Sequence, residues 1–492
     1  MFGLPIPIVG LLVAVFVLVI LVLRTRVHAF IAMLIASAIA GLIGGMSVDG
    51  TLSAITKGFG GTLGGIGIVI GLGVMMGSIL EVSGAAEKMA YSFIKFLGKK
   101  KEEWALAITG YIVSIPIFVD SAFIILYPVA KALAKNGKRS LLTLGVALAG
   151  GLVVTHHTVP PTPGPLGVAG LFGVDIGAML LVGMGMAIIP VIGIVLYAKW
   201  LDKKYPTFNQ EVFTQEELKQ KYDDYIESRE KKDLPSLGLS LLPILLPIGL
   251  IFIKAILGLM AKSTPALTEN TLYQVFNFIG HPMIALAISV LVAVYTLLPH
   301  TDKNTTALHL EEGVKTAGII LLVTGAGGAL GAVLRDSGAG KQLAEQVATL
   351  PISPILIPFI VSTLVRFIQG SGTVAMITAA SISAPILAQI PGVNMLLAAQ
   401  AATMGSLFFG YFNDSLFWVV NRMMGINDVK KQMIVWSVPT TIAWAAGGSM
   451  VILCNLIWGN DGSLLDLLLP LGVLALILVY VNVQSKKCST KL

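Results

Sequence analysis

Stretches of about twenty apolar residues alternate with short polar segments along the chain, and each is long enough to cross a bilayer as a helix. The first is 5–23, and Arg24 and Arg26 place the loop after it in the cytoplasm by the positive-inside rule. Residues 28–46 return outward, 47–61 read as a weakly charged outer loop, and 62–80 cross inward. Glycines at 61, 65, 67, 71, 73 and 77 line that crossing, several of them four apart, the spacing of close helix contacts in lipid. Lys88, Lys95, Lys99, Lys100 and Lys101 assign the next loop to the cytoplasm.

Segment 104–135 does not fit a single span. It is too long, and basic residues flank both ends: Lys99 to Lys101 before it, then Lys131, Lys135, Lys138 and Arg139. Its middle reads I-P-I-F-V-D-S, with Pro116 and Asp120. A re-entrant hairpin that enters and leaves on the cytoplasmic side accounts for both features. Segment 141–174 then crosses outward but breaks at 155–167, T-H-H-T-V-P-P-T-P-G-P-L-G. Prolines at 160, 161, 163 and 165 cannot all fit a helix interior. At membrane depth a broken backbone is tolerated only where it is buried in protein or lines a cavity. Broken helices at the midplane are the usual sign of a transporter binding site. Residues 176–197 cross back, and 199–236 form a polar linker rich in Glu, Lys, Gln and Tyr, expected in the cytoplasm and partly helical.

After the linker the pattern starts again. Spans are expected at 237–257, 282–298 and 316–334. G-S-I-L-E-V-S-G-A-A-E-K at 77–88 matches G-A-V-L-R-D-S-G-A-G-K-Q at 331–342, an offset of 254, and 173–179 resembles 425–431 at an offset of 252. Between those anchors, 351–390 takes the place of the first hairpin and 396–424 that of the broken helix, with G-Y-F-N-D-S at 410–415. Arg422, Lys430 and Lys431 put the end of the second broken helix in the cytoplasm, whereas its counterpart ends outside. The halves are therefore expected to be inverted, a recurrent transporter design. Residues 432–458 and 464–483 complete the spans. The expected fold is an all-α polytopic membrane protein of two inverted-topology repeats, 1–198 and 237–458. The linker joins them, and an extra C-terminal span and tail fill 459–492. It carries broken helices, two re-entrant hairpins and about eleven full spans, with the N-terminus outside and the C-terminus inside.

Composition supports the same class. The 492 residues are 55% apolar and 12% charged, with a mean hydropathy of +0.87. Soluble domains carry about 25% charged residues. A net charge of +7 does not indicate a nucleic-acid partner, because the basic residues sit in short loops between apolar runs. Two cysteines, Cys454 and Cys488, make neither a disulfide framework nor a metal quartet. The 5–23 run has no basic region before it and no small-residue cleavage site after it, so it reads as a retained span.

Few residues carry chemistry. Asp120 is an ionisable group in an apolar run, which reads as functional or as the cap of a short helix. Asp414, with Asn413 and Ser415, holds the equivalent place in the second half. His156 and His157 read as proton carriers, as substrate contacts or as neutral rings bonded to carbonyls freed by the break. Metal ligation is disfavoured for them, since no H-E-x-x-H or Cys/His set accompanies them. Arg366 keeps its charge and matches a carboxylate with two donors, so it needs Asp414, Asp120 or an anionic substrate, unless it snorkels at the interface. Gln369, Ser371, Gly372 and Thr373 follow it; the turn at 371–373 reads as a carboxylate cradle or as a plain tight turn. The run R-D-S-G-A-G-K-Q around Lys341 lacks the first glycine and the Ser/Thr of a nucleotide loop, which argues against an ATP-driven pump.

Five runs together resemble the gluconate permease (GntP) family of bacterial secondary transporters over nearly the whole chain: S-G-A-A-E (83–87), I-F-V-D-S-A-F (117–123), H-H-T-V-P-P-T-P (156–163), R-F-I-Q-G-S-G-T-V-A-M (366–376) and N-D-S-L-F-W (413–418). The resemblance implies proton-coupled import of small hydroxy-acids, such as gluconate-like sugar acids or glycerate, and in one branch of D-serine. It also implies a superfamily fold of inverted repeats with re-entrant hairpins. Family members often carry histidine where Thr162 stands, and a hairpin Glu-Val-Gly where this chain has Asp120, Ser121 and Ala122. The R-x-x-Q-G-S run resembles the sugar-acid members more than the D-serine branch.

The function expected is symport of a small hydroxy-carboxylate with a proton across a bacterial inner membrane. Arg366, Gln369, Ser371, Gly372, Thr373, Asn413, Asp414, Ser415, His156 and Thr162 are the expected substrate contacts, with no cofactor or metal. Asp120 is favoured as the proton carrier over His156, because a buried carboxylate is neutral when loaded whereas His156 would gain charge. A passive channel would need a continuous polar lining, and an intramembrane enzyme would need a nucleophile or acid motif. Neither is present. A homodimer embedded in the bilayer is the expected assembly.

Overall fold

The structure is a computed structural model that describes residues 5–25, 27–89, 92, 101–115, 117–136, 140–204, 234–299, 303–347, 352–459 and 462–489. It is helical, with no strand among the described residues. Among the described residues, six helices are long and apolar enough to cross a membrane. They include Val48–Val82, Ile176–Lys204, Ala317–Asp336 and Val429–Trp458. A further pair, Thr271–Ile279 with Pro282–Leu297, is bent by 69°. Large apolar side chains such as Phe16, Ile188, Leu196 and Leu476 stay exposed on the outer surface, as contact with lipid requires.

The two hairpins and the two breaks are formed by helix ends. The first hairpin is Glu102–Val113 followed by Val119–Asn136, and the second is Leu356–Gln369 followed by Gly372–Leu387. The first broken helix runs as Leu141–Thr158 and restarts as Pro163–Phe172. Pro163 opens that second piece, where the missing N–H costs nothing. Pro160 and Pro161 fill the gap, joined by a cis bond. The second broken helix runs as Met395–Gly405 and restarts as Ser415–Met423.

The order of elements recurs along the chain. Val119 and Gly372, which open the inner arms of the hairpins, are 253 residues apart (372 − 119). Packing recurs with it. A Cβ on Gly151 would strike the carbonyl of Ala107, and a Cβ on Gly405 would strike that of Phe359. These glycines stand 254 residues apart (405 − 151), and each lets a broken helix lie backbone to backbone on the outer arm of its own hairpin. Between the halves, helices Val48–Thr62 and Lys303–Asp336 cross where Gly58 meets Gly328, with Gly58 O 2.6 Å from the Cβ position of Gly328.

At 47–61 the structure departs from the sequence reading. The outer loop expected at 47–61 is the helix Val48–Thr62. Ser47 caps it, accepting from the Gly50 N–H at 3.1 Å, and Asp49 lies in its first turn. Glycines at 58, 60 and 61 weaken a helix on their own; here the close crossing at Gly58 replaces what propensity lacks. The short helix Thr271–Ile279 was not foreseen. Pro116 and residues 205–233 of the expected linker lie outside the described residues.

Candidate functional site

The gaps in the helices leave four N-terminal helix ends inside the molecule, and such ends carry unpaired N–H groups and partial positive charge. Ser371 caps Gly372–Leu387 by accepting from the Val374 N–H at 3.4 Å. Asp414 caps Ser415–Met423, its Oδ1 accepting from the Leu416 N–H at 3.2 Å. Asp120 lies in the first turn of Val119–Asn136, and Pro163 opens the fourth. These ends meet. Asp120 faces Asp414 and the Ser415 hydroxyl. Gly372 abuts His157, and Thr373 Oγ1 lies 3.5 Å from the Cβ position of Gly164. The tip of the first hairpin thus meets the second break, while the tip of the second hairpin meets the first.

Arg366 ends the outer arm of the second hairpin. Its Nη2 donates to Asp414 Oδ2 at 2.6 Å, and the residues are only 2% and 7% exposed. Trp436 Nε1 donates to the same oxygen at 3.2 Å. A π-helical turn, Met433–Ser437, carries Trp436; such turns often mark functional sites. Ser437 Oγ donates to Gly410 O at 2.5 Å, and the Gly410 N–H donates to Thr440 Oγ1 at 3.0 Å. Asn413 Nδ2 donates to the carbonyls of Phe367 and Ile368 at 3.3 Å each, and the Tyr411 hydroxyl donates to Phe367 O at 2.5 Å. The second break therefore caps the carbonyl end of the hairpin arm. The tip itself turns at Gly370, with φ +88°, and Gln369 Oε1 accepts from the Ser371 N–H at 3.1 Å.

At the first break His157 Nδ1 donates to Val153 O at 2.8 Å. The His156 ring packs on Phe118 of the first hairpin, with centroids 5.8 Å apart. Thr162 Oγ1 shares its proton between the carbonyls of His156 at 3.0 Å and Val159 at 2.7 Å, both released by the break. Its hydroxyl serves the break itself. Asp120 Oδ1, His156 Nδ1, Arg366 Nε and Asn413 Oδ1 are buried without a partner among the described residues. Unpaired polar atoms are costly in apolar surroundings, so this cluster is the candidate place for a polar ligand.

Trp436, Thr440 and Tyr411 join the site in the structure with little to mark them in the sequence. Trp436 lies in an apolar span, and its one signal is the polar run Ser437, Thr440 and Thr441 beside it. Two apolar grooves lie elsewhere, one against Pro160, Pro161 and Ile115, the other between Phe359, Trp444 and Leu469; neither is lined by Arg366, Asp414 or Asp120.

Known proteins share this chain's sequence and fold. The family model for GntP family permeases matches residues 6–457. An uncharacterized permease of Haemophilus influenzae is 85% identical over 486 residues, covering 99% of this chain and all of that one. A gluconate permease of Pseudomonas aeruginosa is 33% identical over 91% of this chain and 97% of its own. The D-serine transporter DsdX of Escherichia coli K12 is 35% identical over 84% and 91%. The solved structure of Neisseria gonorrhoeae MtrF, described with a class of antimetabolite efflux pumps, matches with a TM-score of 0.65 at 14% identity. It covers 90% of this chain and 99% of that one, a likeness of fold. With its all-helical, multi-pass architecture and a match running from residue 6 to 457, the chain belongs to the GntP family of permeases.

Proposed function

We propose that this protein is a secondary active transporter that imports a small hydroxy-carboxylate, a gluconate-like sugar acid or glycerate, by proton symport across a bacterial inner membrane. The observation that carries the reading is the meeting of four helix N-terminal ends beside Arg366, with orphaned polar atoms among them. An anion is expensive inside a membrane, and oriented N–H groups with a guanidinium offset that cost. Arg366 is neutralised through Nη2 by Asp414, which leaves for a carboxylate its Nε and the N–H groups of Gly372 and Thr373, none of them bonded among the described residues. Gln369, Asn413 and Ser415 surround that place, and Asp120 faces it from the first hairpin.

Asp120 is the proposed proton carrier. A proton on it removes one of two facing negative charges while the loaded site crosses the membrane. Inverted repeats supply the alternating access: each hairpin tip rests on the other half's break, so exchanging the roles of the halves opens the site to the other side. In this reading about eleven spans and an outside N-terminus frame the site, and the protein acts as a homodimer.

A D-serine permease is the second reading, favoured by the 35% identity with that transporter. The R-F-I-Q-G-S run at 366–371 favours the sugar acid. Counterflow in proteoliposomes loaded with gluconate, glycerate or D-serine separates the two. Gluconate or glycerate should drive exchange, and a protonophore should abolish net accumulation. Exchange with D-serine alone overturns the hydroxy-acid reading. Accumulation that survives the protonophore overturns proton symport.

A further inference from the structure

His157 has one nitrogen to spare, and it faces the tip of the second hairpin. The Val153 carbonyl can only accept, so the Nδ1 that meets it at 2.8 Å carries the hydrogen, and Nε2 of the neutral ring is a bare acceptor. Nε2 makes no hydrogen bond among the described residues, although His157 is only 6% exposed. It points at the first residue of Gly372–Leu387, so closely that a Cβ on Gly372 would overlap it. Among the described residues, the N–H groups of Gly372 and Thr373, the first two of this 16-residue helix, make no hydrogen bond either, because the Ser371 cap takes the third, that of Val374. The open acceptor of a buried histidine therefore stands against the residue that opens the helix and carries the first of two open donors. That pattern complements a carboxylate whose neighbouring carbon carries a hydroxyl.

We propose that His157 is a specificity-determining residue, its Nε2 accepting the hydroxyl next to the substrate carboxylate while the carboxylate takes the N–H groups of Gly372 and Thr373. The inference rests on the hydroxy-carboxylate reading and adds to it the residue that reads the hydroxyl. His156 is turned the other way, onto Phe118. The close seat of the ring explains why residue 372 is glycine: any side chain would push Nε2 off the site. A site built to bond a hydroxyl rejects the analogue without it far more strongly than an apolar pocket does, since its buried acceptor is then left unpaired.

The test uses the full-length protein and two pairs of acids, gluconate with 2-deoxygluconate and glycerate with 3-hydroxypropionate. Binding is read by ligand-induced thermal shift and transport by counterflow. The wild type should prefer the 2-hydroxy member of at least one pair by about tenfold or more. His157→Phe fills the same space without an acceptor and should erase the preference, chiefly by weakening the hydroxy acid. His157→Gln, which keeps an acceptor oxygen, should retain part of it. His157→Asn is too short to reach and should behave as phenylalanine does, should the phenylalanine variant not fold. A wild type that binds the acids without preferring the hydroxyl, or a His157→Phe or His157→Asn protein that discriminates as the wild type does, overturns the role of His157 and leaves the carboxylate reading standing. A wild type that binds none of the four acids overturns both.

Discussion

Arg366 and Asp414 form a buried ion pair, Nη2 to Oδ2 at 2.6 Å, between the second hairpin and the second break. The equivalent positions of the first half hold no such pair. Ile112 stands 254 residues before Arg366 and Thr162 stands 252 before Asp414, and neither is charged. A frame that repeats in shape thus carries its charges asymmetrically: a cation and its counterion on one side, a lone facing carboxylate, Asp120, on the other. Buried pairs often add little stability over apolar residues, while removing one partner leaves an uncompensated charge. Under the proposed function, the pair has a role that stability does not supply: it sets Arg366 beside the place of the anion.

Replacing Arg366 with lysine tests that role. Lysine keeps the charge but replaces the planar fork with a single compact ammonium. The bond to Asp414 can survive, whereas the second direction, along the unpartnered Nε, is lost. Apparent affinity for the transported acid should fall more than tenfold, about 1.4 kcal/mol. Unchanged affinity in a counterflow titration of Arg366→Lys would show the arginine to be structural.

The turn of the second hairpin depends on Gly370. Its φ of +88° lies in the left-handed region, and the Asn413 backbone occupies the place of a Cβ. An alanine there costs roughly 1–2 kcal/mol in conformation alone and must also displace Asn413 from the carbonyls of Phe367 and Ile368. Gly370→Ala should lower the thermal unfolding midpoint and abolish transport. Gly61→Ala, in open space on the Val48–Val82 helix, should do neither. Equal midpoints for the two variants would refute the argument.

The hairpins and breaks were legible because prolines, glycines and lone charges stand out in apolar runs where a helix would otherwise continue. Prolines 160 to 165 and the G-S-G turn at 370–372 located the helix ends to within a few residues. The helix Val48–Thr62 was not legible, because its glycines and polar residues resemble a loop until Gly58 meets Gly328. Pairing across the halves was hidden as well. Nothing local to 117–123 says that Asp120 faces Ser415, and nothing at 156–157 says which histidine turns toward Gly372. Those contacts depend on how two distant segments cross, and the sequence carries that only as a repeat.

Topology gives a direct check on inversion. Single cysteines at Asn136 and Lys341, in a protein lacking Cys454 and Cys488, should react with an impermeant reagent from opposite sides, 136 from the cytoplasm and 341 from outside. Lys341 is the better outer site because it is exposed, whereas a Cβ on the neighbouring Gly340 would lie 3.1 Å from the Pro385 carbonyl. Labelling of both from one side would remove the inverted arrangement and the alternating access built on it.

The coupling prediction concerns Asp120. Its Oδ1 is buried without a partner, and it faces Asp414 and the Ser415 hydroxyl at the second break. With Asp414 already bound to Arg366 and Trp436, Asp120 is the carboxylate at this site that makes no ion pair among the described residues. A carrier that returns empty must move whatever charge the site keeps, and charge is expensive in the membrane interior. A proton that boards Asp120 with the substrate and leaves on the far side couples the two without stranding a charge. Asp120→Asn imitates the protonated state permanently. It should bind and exchange internal for external substrate at near wild-type rates, yet fail to accumulate substrate when an inward proton gradient is imposed. If Asp120→Asn still concentrates substrate under that gradient, the proton travels on another group, and His156, with its unpartnered Nδ1 beside Phe118, is the next residue to replace.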